Sequence, residues 1–502
     1  MSFRTSNSEQ GCGLSYAWER AFRHFGRFQE TWRIPMARKV LAVVSLTVLL
    51  LSLAACGGAG SGSTTSTQPK TAATFVTADD FPLPAVLSFN VTVNSIVLNG
   101  SSTSTPNLLA QPETVDFARL IGLRNLLAFN SVPAGTYTGI TIQLQSPVIT
   151  FLDLSTTPPS ASTINGSWAS TVSSQNGVAT ITLPLRNNLT LQENNLLGLH
   201  MHFDLRKSLQ TDAAGQVTGV VDPQITVSPV KPDDDDAGIT DLRGSIVSVN
   251  LAANTFVIQK WDGKQATVAV NAQTAYNSTY TIGTFTQGMV VEVEGTVQSD
   301  GSIMARSIEV VSLDRALIEG TIIYVDPNGK NITVLPNAVS GGVPGVAVST
   351  PVTLDISTVQ TFTICGIDNW LTGFVFGANS LVAGQHIAVT GNINTATNPA
   401  TFVPQRIRLQ RQGMAGALVA NSVVQVNGNA GTFQLQNNAL VGYVLGAPLT
   451  VETTNSTKFI GVNGLAGIAS GGNMQLEVRG LLLKDPNSGV TTLYAHWVKV
   501  AQ

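Results

Sequence analysis

One strand pattern occurs three times in the second half of this 502-residue chain: apolar residues at alternate positions, broken by a central glycine. It reads Val291-Glu292-Val293-Glu294-Gly295-Thr296-Val297, then Ile387-Ala388-Val389-Thr390-Gly391-Asn392-Ile393, then Leu476-Glu477-Val478-Arg479-Gly480-Leu481. A two-residue period places alternate side chains on opposite faces of a strand. Glycine inside a strand marks a bulge or sharp bend, which a small five-stranded barrel needs in order to close. The flanks repeat too. The first copy opens at Leu242–Val249, passes through Thr255–Ile258 and ends with Ala305–Val310; the second opens at Ile318–Ile322, passes through Asn331–Val334 and ends with Arg406–Leu409; the third opens at Ala415–Leu418, passes through Thr432–Leu435 and ends with Trp497–Val500. Three barrel repeats are therefore expected at residues 241–313, 314–412 (stretched by an insertion near Gly341–Gly373) and 413–502. Glu292 and Glu294 read as the wet face of their strand.

Upstream, residues 83–230 alternate in Leu87–Val93, Ile140–Leu144 and Ala179–Leu183, with Pro133-Ala134-Gly135 as a breaker. Several strands and little helix suggest a β-sandwich. The run Asp233–Asp236 falls in an acidic linker at 231–240. The expected fold class is all-β: a β-sandwich followed by three small β-barrel repeats.

The strings VTVNSIVLNG, VDFARLIGL, SVPAGTYTGITIQL (Ser131–Leu144) and LHMHFDLRKSL (Leu199–Leu209) resemble the family called domain of unknown function 4382, with Pro133–Tyr137 the most specific piece. The resemblance implies a β-sandwich in an exported bacterial lipoprotein and carries no activity. The later repeats resemble the family called domain of unknown function 5666, the first copy most clearly, which implies an OB-like barrel.

Location is the second strong signal. Arg38 and Lys39 precede an apolar run from Val40 to Leu53, and Leu53-Ala54-Ala55-Cys56 leads into Gly57-Gly58. That is the layout of a secretory signal, and the cysteine makes residues 36–55 resemble a lipoprotein signal peptide, implying a lipidated Cys56 (palmitate among its acyl chains) as the mature N-terminus. The rival reading is a transmembrane anchor, but Val40–Ala55 falls short of the ~20 residues a spanning helix needs. Residues 1–35 read as an extension upstream of a true start at Met36, or alternatively as a basic cytoplasmic segment with Arg20, Arg23, Arg27 and Arg33. Residues 56–82 read as the lipidated cysteine and a flexible Gly/Ser/Thr tether. Gly57 after the cysteine lacks the aspartate associated with inner-membrane retention, which by family analogy favours the outer membrane or cell surface.

Charged residues make up 11% of the chain and the net charge is −3, so no basic surface for nucleic acid is in prospect. Of three cysteines, Cys12 lies in the extension and Cys56 carries the lipid, so Cys365 has no disulfide partner.

Chemistry-bearing patterns are few. In Leu199–Leu205 the strand period puts His200, His202 and Asp204 on one face, a candidate set for a first-row metal; a polar strand stripe is the plain alternative. Asp233–Asp236 lacks the alternate spacing of a calcium loop. Lys260, Trp261 and Lys264 sit at a hairpin end and fall short of an aromatic, basic groove for single strands. No G-x-S-x-G elbow, H-E-x-x-H helix or phosphate loop is present. The expectation is a non-enzymatic envelope lipoprotein with no cofactor, which binds, adheres or scaffolds, attached to the membrane through Cys56 and contacting glycans or envelope proteins. The alternatives are a metal-binding protein using His200, His202 and Asp204, or a hydrolase of envelope polymers with paired carboxylates such as Glu292 and Glu294.

Overall fold

The computed structural model describes residues 71–500 apart from 82–85, 101–104, 121–122, 154–155, 157–159, 214–216, 233, 235–236, 261–262, 278–279, 314–315, 366–373, 438–447 and 471–473. The signal at 36–55, Cys56, the extension before them, Trp261 and most of Asp233–Asp236 lie outside the described residues.

The fold is all-β. The first part contains β1 (Thr71–Phe81), β2 (Val86–Asn99), β3 (Glu113–Asp116), β4 (Asn125–Pro133), β5 (Gly135–Asp153), β6 (Ser160–Asn165), β7 (Ser167–Trp168), β8 (Ser174–Gln175), β9 (Val178–Leu191), β10 (Leu196–Asp204), β11 (Leu209–Thr211), β12 (Val217–Val221) and β13 (Ile225–Val230), with the one-turn helix α1 (Leu205–Ser208). One sheet has the order β13-β10-β1-β4 and another β3-β2-β5-β9-β8 with β6 on β5. They face each other across one core in which Phe89 of β2 packs on Phe203 of β10 with ring centroids 5.5 Å apart. Pro133-Ala134-Gly135 is the corner between the sheets, since β4 belongs to one and β5 to the other. Tyr137 is fully buried and donates its hydroxyl to Pro133 O at 2.8 Å, locking that corner.

The later part of the expected tether is a strand. Thr71–Phe81 is a strand inside the first sheet, parallel to β10 and antiparallel to β4. Its sequence hides this because both faces are covered: Ala72, Val76 and Ala78 enter the sandwich core, while Phe75 joins the core of the first barrel. A strand buried on both sides shows no polar–apolar alternation. The acidic linker is likewise cut short, with Ala237 and Ile239 buried and Ile239 already in strand.

The three repeats share one topology. The first holds β14 (Ile239–Asn250), β15 (Thr255–Gln259), β16 (Gln265–Ala269), β17 (Ala275–Tyr276), β18 (Val290–Val297) and β19 (Ile303–Ser312). The second holds β20 (Leu317–Val325), β21 (Asn331–Ser340), β22 (Val352–Asp355), β23 (Thr361–Ile364), β24 (His386–Asn394) and β25 (Thr401–Leu409). The third holds β26 (Gln412–Leu418), β27 (Val424–Asn427), β28 (Ala430–Asn437), β29 (Leu449–Thr453), β30 (Lys458–Ile460), β31 (Gln475–Lys484) and β32 (Thr491–Val500), with the short helix α2 (Gly464–Ser470). In each, the first strand lies between the glycine-bearing strand and β15, β21 or β28 respectively, β27 being an added strand beside β28 in the third repeat, and the last strand follows the glycine-bearing strand in antiparallel order. The first repeat closes through the parallel pair β16–β19 and the third through the corresponding parallel pair β29–β32. The second remains a half-barrel among the described residues, with no ladder joining β22 to β25.

The recurring glycine does what its position demands. The register shifts between Glu294 and Gly295, between Thr390 and Gly391, and between Arg479 and Gly480. A Cβ at these glycines would stand 2.1 to 2.2 Å from a carbonyl oxygen of the neighbouring strand. Only glycine fits that close approach.

Candidate functional site

Three polar regions occupy the seams of the protein, the first between barrels and the other two where the sandwich meets them. In β18 the valines Val291 and Val293 fill the first barrel, so Glu292 and Glu294 must point outward. They meet protein there, not water: both are buried, which corrects the wet-face expectation. Glu292 takes Arg243 of β14 at 2.9 Å and Arg479 of β31 at 3.1 Å. Glu294 takes Arg479 at 2.9 Å, with Arg411 at 3.5 Å and Arg306 at 3.4 Å. Arg243 also pairs with Glu319 of β20, which His386 Nε2 approaches to 2.8 Å, and Arg408 pairs with Glu309. Burial works against the Glu294 carboxylate, but the charges of Arg479, Arg411 and Arg306 outweigh it and hold its pKa down to about 2. Every carboxylate of this hub is thus engaged by at least one cationic side chain.

The second region contains the sequence-derived metal candidates. The strand period is correct: Leu199, Met201 and Phe203 face the core, and His200, His202 and Asp204 share the other side. That side is covered by the third barrel's Lys499 and by Asp79 of β1, whose Oδ2 lies 3.9 Å from the Lys499 ammonium. Both imidazoles converge on Asp79, His202 Nδ1 at 2.7 Å and His200 Nε2 at 3.1 Å. Asp204 is occupied otherwise, accepting Lys207 N at 3.1 Å as the cap of α1 and pairing with the Lys207 ammonium at 2.8 Å. Among the described residues no group of three or more His, Cys, Asp and Glu side chains is arranged to hold a metal ion. Burial tends to raise Asp79, but the charges and hydrogen bonds of His200 and His202 hold its carboxyl far below the usual range. Nearby Glu477 is pushed up to about 7 by burial and then by the Asp79 charge. Asp79 escaped the sequence reading because it stood in the supposed tether.

The third region is an open cleft where the sandwich edge meets the first two barrels. Its inner part has a volume of about 280 Å³ and an outer part about 540 Å³; Glu113, Leu127 and Lys260 line both. A smaller recess of about 110 Å³ adjoins it through Asp116, Arg119, Arg243 and Asn337. Glu113 is held by Lys264 at 2.8 Å and Lys260 at 3.3 Å. Asp116 accepts Phe89 N at 2.8 Å, and burial raises its pKa. Asn337 is placed by a bulge: Glu319 faces Ala338 and Gly320 faces Pro336, so Asn337 is the extra residue of β21. No sequence signal announced it. Lys260 and Lys264, weighed for nucleic acid, serve here as partners of Glu113.

Residues 76–218 match the family described as Domain of unknown function (DUF4382), and residues 243–309 match the one described as Domain of unknown function (DUF5666). The order agrees with the resemblance drawn from the sequence. No curated protein matches the chain.

Proposed function

We propose that the protein is an exported lipoprotein, acylated at Cys56 and displayed on the outer membrane or cell surface, whose sandwich and barrels form a non-enzymatic binding body. The anchoring half of this reading rests on Met36–Cys56. The binding half rests on one observation, the outer face of the β2-β5-β9 sheet. It presents a ladder of uncharged side chains bonded across strands: Thr92 to Thr114 of β3 at 2.9 Å, Asn94 to Gln145 at 3.0 Å, Ser95 to Gln143 at 3.1 Å and Thr141 to Thr182 at 3.2 Å. Such a face offers hydroxyls and amides without charge selectivity, which suits adhesion to, or spacing along, polar envelope polymers. The test is membrane fractionation and protease shaving of cells carrying a C-terminally tagged chain. Wild type should sediment with membranes and lose its tag to external protease, and Cys56→Ala should be released. Membrane attachment that persists in Cys56→Ala would overturn the anchor, and a tag shielded until the envelope is opened would overturn the surface placement.

A further inference from the structure

The seam between the sandwich and the third barrel holds an amine and a carboxyl where neither meets water. Lys499 of β32 and Asp79 of β1 are both buried, and Nζ lies 3.9 Å from Asp79 Oδ2. Glu477 is buried beside them. In the β31–β32 ladder it stands directly opposite Lys499, so the two side chains share one face. Two imidazoles complete the group. A carboxylate only accepts hydrogen bonds, so His202 Nδ1 at 2.7 Å and His200 Nε2 at 3.1 Å both donate to Asp79. Thr77 Oγ1, 3.2 Å from His200 Nδ1, is placed to donate to that nitrogen and so to fix the ring's tautomer.

The hub between the barrels engages its carboxylates mainly with guanidinium groups, which stay charged; here the cation is a lysine, whose amine can act as a nucleophile. A buried ion pair is costly, and the neutral amine–acid pair comes closer to it in energy than in water. A small closure from 3.9 Å brings the nitrogen within the roughly 3–3.5 Å of an attacking pair. We infer that Lys499 and Asp79 condense in the folded chain to an amide bond, with Glu477 as the acid that shuttles the proton. Nζ attacks Asp79 Cγ, the C–N bond forms and a Cγ–Oδ bond breaks. The oxygen leaves as water, carrying two protons that began on the Lys499 ammonium. Glu477 lends a proton to the departing oxygen and recovers one from the nitrogen, so it ends unchanged and no second reactant is needed. Burial, then the Asp79 charge, push Glu477 up to about 7, so a proton is still available there near neutrality. The imidazole N–H groups that hold Asp79 ionised are also the donors that a tetrahedral oxyanion at Cγ requires. The step leaves the Glu477 carboxyl buried and titratable, whereas Asp79 and Lys499 titrate only in chains that have not condensed. The bond joins the first described strand to the last.

The full chain, purified in detergent, is denatured, digested with trypsin and mapped by mass spectrometry. A condensed Lys499 is no longer a cleavage site, so wild type should give peptide 71–119 joined to peptide 485–502, lighter by one water than the two together. Lys499→Arg keeps the cation and removes the amine, and should give only separate peptides. Glu477→Gln, harvested at the same age, should lower the joined fraction about tenfold or more. Separate peptides alone from wild type would overturn the inference, and that reading needs no variant to fold. Fragment ions that place the link at residues other than Asp79 and Lys499 would overturn the pairing. A joined fraction in Glu477→Gln equal to that of wild type would overturn the role given to Glu477. Cys56→Ala should give the joined peptide like wild type, so a failed anchor and a failed bond give different results.

Discussion

Arg479 of the third barrel donates to Glu294 of the first at 2.9 Å across 185 residues of sequence, and each stands immediately before the bulge glycine of its own repeat. Equivalent positions in two copies of one unit have diverged to opposite charge and now face each other. The same holds between the first two copies, where Arg243 and Glu319 precede the glycines of β14 and β20 and pair. Buried ion pairs add little net stability over apolar packing, but a broken one leaves a charge uncompensated. The hub is therefore best understood as fixing which face of each barrel meets which.

Removing Arg479 should be costly. Arg479→Met leaves Glu294 with the longer contacts to Arg411 and Arg306, and a loss of roughly 3–5 kcal/mol is expected. Adding Glu294→Gln to that variant should recover a large part, because the stranded charge goes with it. Urea denaturation of the two variants beside wild type reads this, and equal stability of the single and double variants would show that the charge is not what costs.

Alanine at Gly295, Gly391 or Gly480 would place a Cβ against Met304 O, Val403 O or Tyr494 O at 2.1 to 2.2 Å. Each substitution should lower stability by about 1–3 kcal/mol through forced backbone shifts. Gly377→Ala, with no atom within 4 Å of the added methyl, should stay within about 0.5 kcal/mol. Thermal melts of the four variants separate the two cases.

The repeats were legible because their signals are local: alternation identifies the strands, and the glycine marks the bulge. Alternation also put Glu292 and Glu294 on one face and His200 and His202 on another, both correctly. Which of those faces meets water is a tertiary matter, and the sequence period carries no information about it. β1 was missed for a related reason, since Thr74, Thr77, Asp79 and Asp80 are all buried in it and polar residues on both faces imitate a linker. Asp79 therefore went unseen as the partner of the two histidines, 123 residues away from His202. Asn337 depended on a bulge in a strand without glycine.

Cys365 should be inert in the folded protein. Burial pushes its thiol up to about 11, so little thiolate exists near pH 8, and the side chain is buried. Alkylation by iodoacetamide, followed at the Cys365 peptide by mass spectrometry, should run at least roughly 100-fold slower natively than in denaturant. Equal rates would contradict its burial.

Stability should fall as pH rises from about 4.5 to 8, through Glu477 up to about 7 and through His202 above 6.5. Glu477 is raised from 4.5 to about 7 by burial, then by Asp79, so between those values the folded state holds a proton that the unfolded state has released. Its contribution is therefore present at low pH and lost through that window. His202 acts in the same direction. Burial opposes its charged form, but the hydrogen bond and charge of Asp79 prevail and raise its pKa above 6.5, so its contribution is intact below that value and lost above it. Asp79, held low, works the other way, but only as pH drops below about 3.8. The Glu477 share is on the order of 3 kcal/mol between pH 4.5 and pH 8. Melting curves from pH 5.5 to 8.5 should show a decline of several degrees that Glu477→Gln flattens in part, because glutamine keeps the shape and removes the titration. A decline of the same slope in Glu477→Gln would assign the pH response to another group, and a rise in stability toward pH 8 would contradict the burial of this cluster against the third barrel.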